Sequence, residues 1–331
     1  MGVYMLLAFV LLLFMKTNNS KIVLGLFILF FFVSAFRGFT VGTDTLNYYD
    51  LYRGYAVSTR LDPGFALLFM GLRAVGVPYR VVLIVLSLAM FSILYVFTRK
   101  EKTSPVLLLL FFFLLGYCFS FYNVTRQLLA SGVLLFAYKN RAEKGNIYLF
   151  FLYIIIAAFF HKTALIGVVI LFLDRIKIPG AYIILLLPFT FIFPMLIPTN
   201  EIINYLTSNI GFLNMYDVYT DGADKQLFSV NRLAMNVFYM YLAHKYEDSK
   251  NDIYFSACIL GLIILNLFAY SGVITRLAVY FQFAQIIFLT NYYNKYSQVD
   301  KALVIAYSLV IFLFTMKNNI GGIVPYTFGG F

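Results

Sequence analysis

The sequence predicts an all-α polytopic membrane protein, and three observations carry that prediction. Of the 331 residues, 62% are hydrophobic and only 12% are charged, with a mean hydropathy of +0.87, whereas a soluble domain carries roughly 25% charged residues. Apolar runs of Leu, Ile, Val and Phe recur from one end to the other, each bounded by a short charged or Gly/Pro/Asn cluster. The basic residues fall in those breaks. Within lipid every backbone polar group must pair internally, which leaves helices or a closed barrel, and these runs are continuous rather than alternating. Helices follow. No stretch remains for a separate soluble domain, so residues 1–331 read as one transmembrane domain. A net charge of +11 would point to nucleic acid in a soluble chain. Spread through short loops it sets orientation instead, and nucleic acid is excluded as a partner.

The elements follow in order. Gly2 to Met15 has the apolar length of a signal-peptide core but lacks a basic leader and a small-residue cleavage site before Lys16, so it reads as a span. Further apolar runs lie at 22–36, 79–97, 105–120, 124–138, 147–160, 161–173, 180–198, 230–246, 253–270, 272–293 and 302–316, giving about 12 transmembrane helices. Basic clusters at Lys16/Lys21, Arg99/Lys100/Lys102, Lys139/Arg141/Lys144, Arg175/Lys177, Lys245/Lys250 and Lys295/Lys301 go to the cytoplasmic face under the positive-inside rule. Both termini are then extracytoplasmic. Residues 62–77 are apolar but short and carry Arg73. As a span they would put the Arg99 cluster outside, so they read as an interfacial helix started by Asp62-Pro63. They close an extracytoplasmic segment, 37–78. A second outer segment, 199–229, has Ile202, Leu206, Ile210 and Leu213 at helical spacing before the turn Asp221-Gly222-Ala223-Asp224, the pattern of an interfacial helix with a lid loop.

The most polar stretch, Arg37 to Tyr55, reads RGFTVGTDTLNYYDLYRGY and lies in the first outer segment. The chain has no Trp and 27 Tyr, so tyrosine must supply the interfacial belt. Tyr48 and Tyr49 fall on the outer side, either in that belt or stacked on sugar rings. Cys118 and Cys258 fall near opposite faces, too far apart for a disulfide.

Outside the six cytoplasmic clusters, the remaining cations gather at the outer ends of spans. Four inward-running spans begin with one: Arg126 in VTR, Lys162 beside His161 in HKT, Arg232 in VNR and Arg276 in ITR. A helix start carries about half a positive charge and unpaired N–H groups, and arginine adds a planar fork suited to phosphate oxygens. A single arginine one turn into a span commonly snorkels to lipid phosphate. Four such positions make a cationic, anion-binding set facing outward, and the ligand suited to that depth is a phosphorylated lipid. His161 is either a helix-start hydrogen-bonding residue or a base with suitable pKa. Asp44, alone in GTDT, is either a turn cap or the second choice of base. No metal constellation is present: His161 and His244 fall at opposite faces without Cys or carboxylate at ligand spacing.

RGFTVGTDTLNYY at Arg37 to Tyr49, DPGF at Asp62 to Phe65, TRQ at Thr125 to Gln127, FHKTA at Phe160 to Ala164 and the late TR of Arg276 together resemble the EpsG branch of the Wzy-like polysaccharide polymerases. The resemblance implies an enzyme of the bacterial cytoplasmic (inner) membrane with a GT-C-like, metal-independent architecture. It would polymerise undecaprenyl-pyrophosphate-linked oligosaccharide repeats on the periplasmic or extracellular side for O-antigen, capsule or exopolysaccharide. A chain-length regulator is the protein partner it implies, alongside membrane lipid. By matching positions it implies site roles for Arg37, Asp44, Arg126, His161 and Arg276; Arg232 comes from helix-start chemistry alone. Attack of an acceptor sugar hydroxyl on the donor's anomeric carbon would expel lipid pyrophosphate, with Arg37, Arg126, Arg232 and Arg276 stabilising the leaving charge and His161 or Asp44 as base. The lipid pyrophosphate is already an activated leaving group, so no cofactor is expected. Rival functions are an O-antigen ligase, a membrane O-acyltransferase built on His161, and a lipid-linked oligosaccharide flippase. The flippase would place charges near mid-membrane rather than at one face.

Overall fold

Continuous apolar sequence without strand alternation folds, in the computed structural model, into helices. The structure describes residues 1–54, 61–101, 103–175, 178–197, 229–245 and 252–329. Among them there is no β-strand, only an isolated antiparallel bridge between Arg37 and Phe328. The lid expected at 199–229 lies almost wholly outside the described residues.

The helices are α1 (Gly2–Phe14), α2 (Ser20–Ala35), α3 (Thr43–Arg53), α4 (Pro63–Ala74), α5 (Tyr79–Glu101), α6 (Pro105–Leu114), α7 (Tyr117–Asn123), α8 (Thr125–Ala142) and α9 (Ile147–Phe160), all but α3 in apolar sequence. A 3-10 helix (Lys162–Val169) follows. Then come α10 (Ile170–Leu173), α11 (Gly180–Leu196), α12 (Val230–Lys245), α13 (Ile253–Leu267), α14 (Gly272–Gln282), α15 (Gln285–Lys295) and α16 (Gln298–Lys317). Residues 62–77, expected as an interfacial helix, contain the helix α4. The polar stretch, expected as loop, contains α3. Part of the expected set of about 12 spans is evident among the described residues. By length and composition two described helices, α5 and α16, can cross a membrane, and three if α6 and α7, bent by 61°, form one span. The other apolar helices are shorter, 10–17 residues, and some longer runs are broken. Gly116 takes a left-handed φ of 83° between α6 and α7, 161–173 starts as a 3-10 turn, and 272–293 is broken between α14 and α15.

The chain divides into two compact units, one of residues 1–139, 147–165 and 286–331, the other of 140–146 and 166–285. In the first unit α6 is the central helix. Every residue from Val106 to Leu114 is buried, as a helix apolar on all faces must be, and α1, α2, α5 and α16 pack around it. Phe113 joins the rings of Tyr4, Phe30, Phe119 and Phe312 in one aromatic cluster. The C-terminal tail closes over the polar stretch. Gly38 N–H donates to Thr327 O, Gly42 N–H to Gly322 O, and Gly329 N–H to Phe36 O. Gly42, with φ of 95°, lies so close to Tyr122 that a Cβ would stand 2.7 Å from the Tyr122 carbonyl oxygen, so only glycine admits this turn. Asn123 Oδ1 accepts from the Thr43 N–H at 2.6 Å and its hydroxyl at 2.8 Å, fixing the start of α3.

In the second unit α11, α12 and α13 share a buried amide network. Asn236 and Asn266 donate to each other at 3.0 and 2.8 Å, and Asn266 also donates to Thr190 Oγ1 at 3.0 Å. Apolar helices have little hydrophobic reason to choose one another in lipid, so such bonds fix the register. Asn266→Ala is expected to lower stability by about 1–2 kcal/mol, seen as a reduced unfolding midpoint in detergent; an unchanged midpoint would remove the network from the stabilising set.

Candidate active site

The site is built on the start of α4. Asp62 occupies its N-cap position with extended backbone, Pro63 follows at the first helical position, and the Asp62 side chain makes no bond to its own helix. An aspartate there ordinarily accepts from the next turn; this carboxylate turns outward instead. Gly64 explains how. A Cβ on it would meet Phe159 Cδ1 at 2.7 Å and the Phe159 carbonyl oxygen at 2.8 Å, so α4 approaches the end of α9 at backbone distance. His161 follows at once: α9 ends at Phe160, and the His161 N–H still donates to Ala157 O.

Asp62 thereby becomes the hub of an ion cluster. Its Oδ2 accepts from Arg126 Nη1 at 2.7 Å and faces His161 Nδ1 at 2.8 Å, while its Oδ1 accepts from the Lys162 backbone N–H at 3.0 Å. The carboxylate is 1% exposed, against 26% for the Arg126 side chain and 22% for His161. Burial alone would raise the Asp62 pKa. The His161 hydrogen bond, the Lys162 N–H and the charges of His161 and Arg126 outweigh it and hold the carboxyl below its usual value. An ionised carboxylate only accepts, so Nδ1 carries the proton and Nε2 is the nitrogen left for chemistry. On the other flank Arg126 Nε donates to the Tyr48 hydroxyl at 3.3 Å. The arrangement is an oriented imidazole with a guanidinium beside it. Such a pair can take a proton from a hydroxyl and stabilise a developing anion.

Arg126, His161 and Tyr48 are thus brought into one cluster. Tyr48 is buried, its ring against Phe65 and Phe69, and its hydroxyl anchors Arg126. Tyr49 packs on Phe39 and Tyr79. Asp44 stands half-buried in the first turn of α3, where a negative charge suits the helix dipole; the carboxylate on His161 is Asp62. Arg37 is 2% exposed, donates to Ser34 O at 2.6 Å and lies over the Tyr122 ring at 4.5 Å. Enclosed in this way it ties the polar stretch to α2 and α7, and it meets no open surface. Arg80 completes that tie through the carbonyls of Ala35, Arg37 and Gly329. In the second unit Arg232 donates to Leu265 O at 3.4 Å over the Phe191 ring, and Arg276 is exposed in the first half of α14. Asp62 is the residue that sequence reasoning took for a helix start. The DPGF motif was the available signal.

An EpsG family model matches residues 4–328, nearly the whole chain. The chain belongs to the EpsG family. Membership suggests a polysaccharide polymerase of glycosyltransferase type in a membrane. No curated protein matches the chain, and no solved structure does. For an EpsG protein the Asp62 cluster lies where the sequence motifs converge: DPGF supplies the carboxylate, TRQ the guanidinium and FHKTA the imidazole.

Proposed function

We propose that the chain polymerises lipid-linked repeat units, transferring a growing glycan from undecaprenyl pyrophosphate to the terminal sugar hydroxyl of a second lipid-linked unit. It would do so on the outer face of the bacterial cytoplasmic membrane. The observation that supports this most is Asp62 holding His161 Nδ1, which leaves Nε2 for a hydroxyl proton, with Arg126 on the same carboxylate. In the proposed step the acceptor O–H proton passes to Nε2 as its oxygen bonds the donor's anomeric carbon. The bond from that carbon to the pyrophosphate oxygen breaks, and the leaving charge falls to Arg126. The imidazolium so formed is stabilised by Asp62 and returns its proton to solvent. In the second unit the anion-binding chemistry of helix starts applies to Arg232 and Arg276 individually. The shorter apolar helices would supply the remaining spans of a GT-C-like fold of about 12 helices, on the strength of the apolar runs and family likeness.

The test is one gel of extracted glycolipids from a deletion strain, with and without complementation. Accumulated single lipid-linked units mean polymerase; full-length polymer retained on its carrier means ligase; normal polymer lacking acyl groups means acyltransferase. Complementation with Arg126→Lys is expected to leave chains much shorter than wild type, because an ammonium cannot meet Asp62, Tyr48 and a phosphate oxygen with a planar fork. Wild-type lengths would remove Arg126 from the leaving-group role.

A further inference from the structure

The first unit carries a second polar feature, far from the Asp62 cluster. α3, which holds Tyr48 on Arg126, is tied to the start of α5 by the Tyr79 hydroxyl donating to Thr45 O at 3.1 Å. Thr103 and Ser104 follow the other end of α5, which is 23 residues long, so the two features are separated by roughly 35 Å along that helix. At this far end a cavity of about 470 Å³ opens between the end of α1, the start of α6 and the α15–α16 turn. Lys16 and Lys301 line it with Asn18, Thr103, Asn294 and Gln298, and none of its lining residues is Asp or Glu.

Among the described residues neither lysine has a carboxylate partner. Lys16 is exposed, and Lys301 lies over the Tyr293 ring at 5.6 Å. The acid next in sequence, Asp300, already accepts from Ser297 Oγ and Tyr292 Oη. Two cations without counter-ions among amide and hydroxyl groups form an anion site of phosphate size or larger. The outer surface beside it is apolar. Leu6, Phe9 and Leu13 are 62%, 62% and 65% exposed, and their spacing sets them on one stripe of α1 that ends at Lys16. A free phosphate has no use for that stripe, whereas acyl chains below a headgroup do.

We infer that this cavity binds the phosphate headgroup of an anionic phospholipid, with its chains along Leu6, Phe9 and Leu13. Purified protein in neutral detergent, given phosphatidylglycerol, phosphatidylcholine or inorganic phosphate, tests this by native mass spectrometry and thermal unfolding. Retention of phosphatidylglycerol over phosphatidylcholine is expected at roughly tenfold to thirtyfold, the effect of two lysines at a membrane surface. The preference should vanish in Lys16→Gln/Lys301→Gln and persist in Lys21→Gln, which alters the same end of α1 and α2 outside the cavity lining. Equal retention of the two lipids, an unchanged preference in the double variant, or protection by inorganic phosphate matching that by lipid would each overturn the assignment. Glycolipid polymerisation is read separately, so failure here leaves the Asp62 site untouched.

Discussion

Asp62→Asn is expected to reduce polymer formation by about 10²-fold or more while the protein still accumulates in the membrane. The size is that of losing one positioned acid–base group; the reason is the tautomer. The carboxylate accepts from Nδ1, which keeps Nε2 free of a proton. An asparagine amide can offer its NH₂ to Nδ1 instead, and the imidazole then carries its proton on Nε2 and cannot take one from a hydroxyl. Arg126, 26% exposed, retains water as an alternative partner, so the fold should survive. The pH profile separates positioning from mere support. The Asp62 carboxyl is held below its ordinary value in the folded protein, so its contribution is present above the ordinary carboxylate range and lost as pH falls through the depressed value. Wild-type activity should therefore show no Asp62-dependent loss above about pH 5, and the Asn variant should be weak throughout. His161→Ala should be at least as deficient. Full activity of Asp62→Asn, assayed by polymer length on extracted glycolipid, would sink the dyad.

Gly64→Val should disrupt both the packing of α4 and the ion cluster. Even the first carbon of the new side chain would sit 2.7 Å from Phe159 Cδ1 and 2.8 Å from the Phe159 carbonyl oxygen. A ring can rotate, but the backbone oxygen at the end of α9 cannot move without carrying His161 with it. Overpacking of this kind costs about 1–3 kcal/mol, and here the strain is relieved by separating α4 from α9. That separation pulls Asp62 off His161 Nδ1 and the Lys162 N–H. A lowered unfolding midpoint together with loss of polymer is the expected pair of results; Gly71→Val, where a Cβ meets nothing within 4 Å, serves as the control on the same helix. A Gly64→Val protein with wild-type polymer would mean that the α4–α9 approach is not what holds the site.

Helix positions were legible because lipid or core burial enforces long apolar runs, and α2, α9, α11 and α13 begin or end within a few residues of where those runs do. Span number was less legible. A run tells how much chain is apolar, but whether it stays one helix depends on local breaks such as Gly116 at φ 83°, which tertiary packing selects. The polar stretch was read as loop because its side chains outweigh its periodicity, yet Asn123 and the C-terminal tail stabilise the start of α3 there.

The sequence by itself determined the residue types: an outward arginine, a histidine beside it, and the motifs that place the chain in its family. Only the tertiary structure decided which of them meet. Asp62, Arg126 and His161 are separated by 64 and 35 positions and converge because Gly64 has no side chain to keep α4 away from α9. The same packing encloses Arg37, whose Nη1 donates to Ser34 O and whose guanidinium lies over the Tyr122 ring. Charge and hydrogen-bonding capacity are properties of a residue, whereas burial and partner are properties of the fold. For that reason the sequence could name His161 and Arg126, whereas the carboxylate that joins them, Asp62, is supplied by the fold.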